Sequence, residues 1–242
     1  MGEQSVDVVI PAYNEEQILE CNTRILHDFL RTQCPVPWTI SIVSNASTDD
    51  TVAIGTRLTQ QLKNVRFTHI PDVGKARAIR HGWNASTASI VGFMDADLDT
   101  GLDAFLPCIQ PILDGTAAMS IGNRYDKRSR VDRGAGRKLL SQGYNILIRA
   151  FFPSSRVQDA HCGFKFLRAD VAQELLRKTR SNAWFFDTEL LVHAQRAGYR
   201  IAQVPVQWVD DCERKSRVHV PRIIAEYMTN LAKLRWRLWS RR

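Results

Sequence analysis

Short apolar runs alternate with amphipathic segments through the first hundred residues, and no other feature constrains the fold as tightly. "SVDVVIP" (5–11), "WTISIVS" (38–44), "VRFTHI" and "SIVGFMD" are brief, apolar and bounded by polar turns, which predicts buried strands. Between them, "NEEQILECNTRILHDFLR" (14–31), "STDDTVAIGTRLTQQL" and "GKARAIRHGWNAS" repeat their apolar residues at the helical period. The first opens with acids, and the second with Ser47 and Thr48, residues that cap helix N-termini. Such alternation with short links predicts an α/β fold, a mostly parallel central sheet with helices on both faces. Ligands of such sheets bind beyond the carboxyl ends of the strands.

The second half is less regular. "AAMSIGNRY" and "YRIAQVPVQW" read as strands, the latter demoted in part to an edge by Pro205. "KLLSQGYNILIRAFF" and "FFDTELLVHAQRAG" read as helices. With no internal repeat or low-complexity linker, the 242 residues fit one domain with two functional halves. A net charge of +8 favours an anionic partner: nucleic acid, a phosphate-bearing substrate or an acidic membrane face. The five cysteines (Cys21, Cys34, Cys108, Cys162, Cys212) include no CxxC pair and read as reduced thiols. The first residues lack a signal-peptide layout, and nowhere do roughly 18 apolar residues run together. A soluble or peripheral cytoplasmic protein is expected.

Three acids, Asp95, Asp97 and Asp99, follow the fourth apolar run in "SIVGFMDADLDTG". Carboxylates this close resist burial unless a positive charge sits among them. In extended chain Asp95 and Asp97 share a face, and Asp99 joins them if the extension continues. A few hard oxygens at a strand end suit Mg²⁺ or Mn²⁺ shared with substrate phosphates; the plain alternative is a solvated acidic loop. Asp159, His161 and Cys162 also lie close together, but no second His/Cys pair stands at ligand spacing, so no metal site is read there.

"VVIPAYNEE", the "DAD" after the fourth strand, "RVQDAHCGFKFLRAD" and "WFFDTELLVHAQRAGYRIAQVPVQW", in this order, resemble the family 2 glycosyltransferases of GT-A (Rossmann-like) fold. Within that family the resemblance is to polyprenyl-phosphate (dolichyl-phosphate) glucosyl and mannosyl synthases, and it covers about residues 5–220. It implies that Pro11, Tyr13, Glu15 and Asn45 line the donor nucleotide's pocket. "IVSNASTDDT" departs from the family's usual I-V-D-D-G-S-T-D-G-T, with Ser44 and Asn45 replacing two acids, which leaves uridine against guanosine open. By the same resemblance Lys75, Asp95 and Arg217 face the diphosphate, and Asp95, Asp97 and Asp99 hold the metal. Arg124, Arg137 and Ser141 would hold the acceptor's phosphate, and Asp159, Asp187 and Glu189 would lie near the sugar or acceptor. Gly74 and Lys75 match a Gly-Lys that opens a helix, suited to a diphosphate.

The implied reaction is metal-dependent, inverting transfer of a hexosyl unit from a UDP- or GDP-hexose to a polyprenyl phosphate. Residues 1–221 would form the catalytic domain, and 222–242 a basic amphipathic helix. Its stripe of Ile224, Tyr227, Met228, Leu231, Leu234 and Leu238, with Trp236, Trp239 and flanking arginines, reads as a helix lying in a membrane interface, with a helix packed on the domain as the alternative. The enzyme is expected at the inner face of the membrane, held by the bilayer surface or a separate membrane protein, without nucleic acid. Transfer to a hydroxyl, and a non-catalytic basic binding module, stand as alternatives.

Overall fold

The apolar runs become strands β1 (Val6–Ala12), β2 (Trp38–Asn45), β3 (Val65–Ile70) and β4 (Ile90–Met94). Their pairings with one another are all parallel, and α1 (Leu19–Gln33), α2 (Thr51–Gln61) and α3 (Lys75–Ala85) connect them. The computed structural model describes residues 3–132, 135–209 and 220–240, the side chains of 135–140 and 220–225 excepted. Beyond β4 come α4 (Phe105–Leu113), β5 (Met119–Asn123), β6 (Arg130–Asp132) and α5 (Ala135–Phe151). They are followed by β7 (Phe164–Arg168), α6 (Ala169–Lys178), α7 (Phe186–Arg196), β8 (Ile201–Pro205), β9 (Gln207–Val209) and α8 (Val220–Trp239).

The seven-stranded sheet has the order β3-β2-β1-β4-β7-β5-β8. β7 runs antiparallel to both β4 and β5, while β5 and β8 are parallel. β8 is an edge strand ending at Pro205, the position that proline's missing N–H favours. β6 and β9 form a small parallel pair. Successive strand residues face opposite ways, and so do the two cores. Val9, Val91 and Phe93 pack with α3, α6, α7 and α8, whereas Val8, Ile10 and Ile90 pack with α1, α2 and α4.

Two local expectations change. α1 begins at Leu19, not at residue 14. Asn14, with φ of 54°, and the next two residues form a turn stapled to the loop after β2. The Glu15 N–H donates to Thr51 Oγ1 at 2.8 Å, and the Thr48 N–H donates to Asn14 Oδ1 at 2.8 Å. Ser47 accepts the Asn14 N–H at 3.1 Å rather than capping α2, which starts at Thr51. Local spacing favoured helix there, but hydrogen bonds between two loops, invisible to periodicity, outweigh it.

Candidate active site

The carboxyl ends of β1, β2 and β4 open into one cleft of about 1360 Å³. Pro11, Tyr13, Glu15, Asn45, Lys75, Asp95 and Asp97 all line it. These seven come from four separate segments, which the parallel topology brings to one edge.

Gly74 shapes the entrance to α3. Its φ of 146° is accessible to glycine, and an added Cβ would lie 2.5 Å from the Asn182 carbonyl oxygen. Its N–H donates to Asn45 Oδ1 at 3.0 Å, while Asn45 Nδ2 donates to the Ala12 carbonyl at 2.8 Å. Buried Asn45 therefore ties β1, β2 and the start of α3 together, with both ends of its amide engaged on backbone. Lys75 follows, its Nζ 2.5 Å from Asp95 Oδ1 and 4.8 Å from the Trp184 ring centre. Burial pulls the ammonium's pKa down, but Asp95, Asp187 and Asp97 outweigh it and hold it above the ordinary lysine value.

The acids follow β4 in a turn and not in an extended run. Leu98 adopts φ of 56°, and the Asp99 N–H donates to Asp97 Oδ1 at 3.2 Å. Asp95 and Asp97 line the cleft, and all three acids line a smaller adjoining pocket with Arg124 and His161. Among the described residues no three His, Cys, Asp or Glu side chains gather as a ligand set. Burial and then the charge of Asp95 push the Asp97 carboxyl up to about 6. Gly163, from the "CGFK" segment, makes room for this pair: a Cβ there would sit 1.8 Å from Asp95 Oδ2.

The remaining predicted site residues fall elsewhere. Arg124 forms a buried bidentate pair with Asp159, Nε to Oδ2 at 2.7 Å and Nη2 to Oδ1 at 2.9 Å. Its backbone N–H donates to the same carboxylate. Asp187 pairs with Lys165, also buried, at 2.7 Å. Ser141 accepts a hydrogen bond from the Tyr125 hydroxyl. The Arg137 side chain and all of Arg217 lie outside the described residues. His161 stacks on Tyr144 at 4.1 Å, and burial lowers its pKa to about 3, so it is neutral there.

Sequence reasoning did not single out Lys165, Arg180 or Trp184, nor place Lys233 and Arg237 in the cleft. The only local signal was Lys165 at an apolar position of "GFKF", where a lone lysine demands a carboxylate partner.

A sheet of this order, with paired acids and a lysine at its carboxyl edge, defines a GT-A fold. The chain belongs to glycosyl transferase family 2, whose model matches residues 7–176. It is 29% identical over 238 residues to the glycosyltransferase AglD of Haloferax volcanii, covering 98% of this chain but 38% of that protein. It is 26% identical to the dolichyl-phosphate beta-glucosyltransferase of Saccharomyces cerevisiae, covering 84% of this chain and 66% of the yeast protein. The Trichomonas vaginalis dolichyl-phosphate beta-glucosyltransferase ALG5C is 28% identical, with 87% of this chain and 65% of that protein covered. The chain thus spans between about two fifths and two thirds of the length of these relatives. In three dimensions it resembles glucosyl-3-phosphoglycerate synthase of Mycobacterium tuberculosis, solved with Mn²⁺, uridine diphosphate and glucosyl-3-phosphoglycerate. The TM-score is 0.68 at 19% identity, over 96% of this chain and 78% of that one.

Proposed function

We propose that the chain transfers a hexosyl unit from a nucleotide-diphosphate sugar to a polyprenyl phosphate with inversion at C1, and that UDP-glucose is the first donor to test. One observation carries the reading: Lys75, Asp95 and Asp97 meet at the end of β4 in a cleft of about 1360 Å³. That exceeds the roughly 300–1,000 Å³ of ordinary small-ligand pockets, which supports a reaction with two substrates. The names of the relatives supply the acceptor class and glucose, and the bound uridine diphosphate of the structural neighbour supplies the base.

The donor set fits a divalent cation. Asp95 and Asp97 offer hard oxygens, and the elevated Asp97 carboxyl marks negative charge that a single ammonium does not cancel. These two acids would hold Mg²⁺ or Mn²⁺, which when bound supplies positive charge against the donor's diphosphate. Lys75, kept protonated at the head of α3, faces the same diphosphate as the C1–oxygen bond breaks and its electron pair leaves on the nucleotide. An oxygen of the acceptor phosphate forms the new bond to C1. Such a monoester carries about −1.5 to −2 charge at neutral pH and needs no base. A hydroxyl acceptor would need one, yet the candidates Asp159 and Asp187 are both buried in ion pairs. Arg217 for the diphosphate and Arg137 for the acceptor complete the proposed set.

Differential thermal denaturation tests the donor site. UDP-glucose at a hundredfold excess over Kd should stabilise the native state by about 2.7 kcal/mol with Mn²⁺ present, and much less with chelator. A GDP-sugar that outperforms it would reassign the base. No shift with any nucleotide sugar would remove the site assignment.

No helix among the described residues is long and apolar enough to cross a membrane. The burial of α8 is consistent with both readings of its sequence: Leu231 and Leu234 are fully buried, whereas Trp236 and Trp239 are 66% and 65% exposed, their rings 5.6 Å apart. With exposed Arg235 beside it, this outer face suits the lipid interface. Replacing both tryptophans with serine should cut association with anionic liposomes at least about tenfold, since each buries an indole-sized apolar area. Unchanged sedimentation with liposomes would make the outer face purely structural.

A further inference from the structure

An acid interrupts the first apolar run, "SVDVVIP", at a position where strand alternation places a core residue. Asp7 is 2% exposed and faces the α3 side of the sheet, two positions before the core residue Val9. Register brings Thr39, Ser41 and Arg66 to the same face: Asp7 is level with Thr39, Val9 with Ser41, and Ser41 with Arg66. Ser86 and Ser41 stand beside the carboxylate, yet its Oδ1 has no hydrogen-bond partner among the described residues. Arg66, exposed at the rim, acts on it through charge alone. Burial pushes the carboxyl above its ordinary 3.8, the mark of a negative charge short of a counter-ion.

A cavity of about 360 Å³ opens on Asp7 at the amino ends of β1 and β2. The seven residues of β1 set it about 20 Å from the catalytic cleft. The topology that sends strand carboxyl ends to the cleft sends the C-termini of α1, α2 and α3 to this opposite edge, and Cys34, Asn64 and Ser86, which follow them, line the cavity. Each helix ends in roughly half a negative charge. Neither α2 nor α3 carries a basic residue in its last turn to offset it. Val36, Pro37 and Trp38 add an apolar wall, with His27 edge-on to the Trp38 ring at 5.2 Å. Carboxylate, helix C-termini and aromatic ring all favour a cation, and the apolar wall favours a carbon chain attached to it.

We propose that this cavity is a second ligand site, which takes the primary ammonium group of a small aliphatic amine. The ammonium donates to Asp7 Oδ1, and its carbon chain lies along Val36, Pro37 and Trp38. A nucleotide sugar does not suit this edge, because its diphosphate would meet the negative end of each helix. The site stands independently of the transferase reading.

The test is a titration of the whole isotope-labelled chain with n-butylammonium chloride, followed by amide NMR shifts. Controls are n-butanol, and sodium chloride at equal ionic strength. Saturable shifts should gather at Thr39, Asn64, Ser86 and Thr87, with n-butanol at least about tenfold weaker, the scale of one charge-assisted contact. Asp7→Asn, which keeps the size and removes the charge, should abolish them. Arg66→Gln, at an exposed position, should tighten binding about threefold by removing a solvent-screened like charge, an effect that a purely structural Asp7 would not produce. Shifts no larger than those of sodium chloride, or binding that survives in Asp7→Asn, would overturn the site. Should Asp7→Asn fail to fold, Arg66→Gln decides alone: unaltered or weakened binding there overturns the site as well.

Discussion

Asp97→Asn is expected to lower turnover by about three orders of magnitude, the rate equivalent of several kcal/mol of lost charge stabilisation at the departing diphosphate. The fold should survive. Asp97 sits beside Asp95 with its carboxyl pushed up to about 6 from an ordinary 3.8, so its ionised form is unfavourable in the native state without a cation. The folded chain then binds that proton more tightly than the unfolded chain. The associated stability is present below about pH 4 and is lost as pH rises to about 6. In chelator at neutral pH the asparagine variant should therefore melt no lower than the parent, while Mn²⁺ should no longer raise its midpoint with UDP-glucose. Turnover within tenfold of the parent would end the assignment of Asp97 to the metal and diphosphate.

The second large effect is structural. Asp159→Ala should destabilise the protein by about 3–5 kcal/mol, because it leaves the Arg124 guanidinium buried without its carboxylate. Replacing both partners with apolar residues, Arg124→Met with Asp159→Leu, should recover much of that loss, as the uncompensated charge disappears. Urea midpoints at unchanged m value are the measurement. Burial pushes the Asp159 carboxyl up, yet the hydrogen bonds and charge of Arg124 hold it below its ordinary 3.8. Its contribution is thus present at neutral pH and fades as pH drops below about 4. A stable Asp159→Ala variant that has lost only its use of acceptor would return Arg124 to the phosphate.

How far each residue was legible depended on how far away its partner lies. The cleft's edge at the carboxyl ends of the strands could be read from the chain itself. Apolar runs near "VVIPAYN", "IVSN" and "IVGFMDAD" announce buried strands, and a parallel sheet sends their carboxyl ends to one side. Pro11, Asn45, Lys75 and Asp97 accordingly converge without further information. The turn after β4 was less legible. Left-handed Leu98 turns the chain there, so Asp99 leaves the large cleft while still sharing the smaller adjoining pocket with Asp95 and Asp97.

The second half depended on long-range pairing. β7 enters the sheet antiparallel between β4 and β5, and in doing so buries Lys165 against Asp187, 22 positions further along the chain. Arg124 finds Asp159, 35 positions away, by the same route. Both acids had been read as candidates for the sugar, since a carboxylate in sequence carries no mark of which cation will neutralise it. Sequence alone determined the parallel half of the sheet, the position of the acids after β4 and the amphipathic character of α8, because each rests on periodicity within a few turns or strand residues. Tertiary structure alone decided which charges are spent on one another and that α8 walls the cleft, because desolvation lets a buried charge persist only where a distant segment supplies its partner.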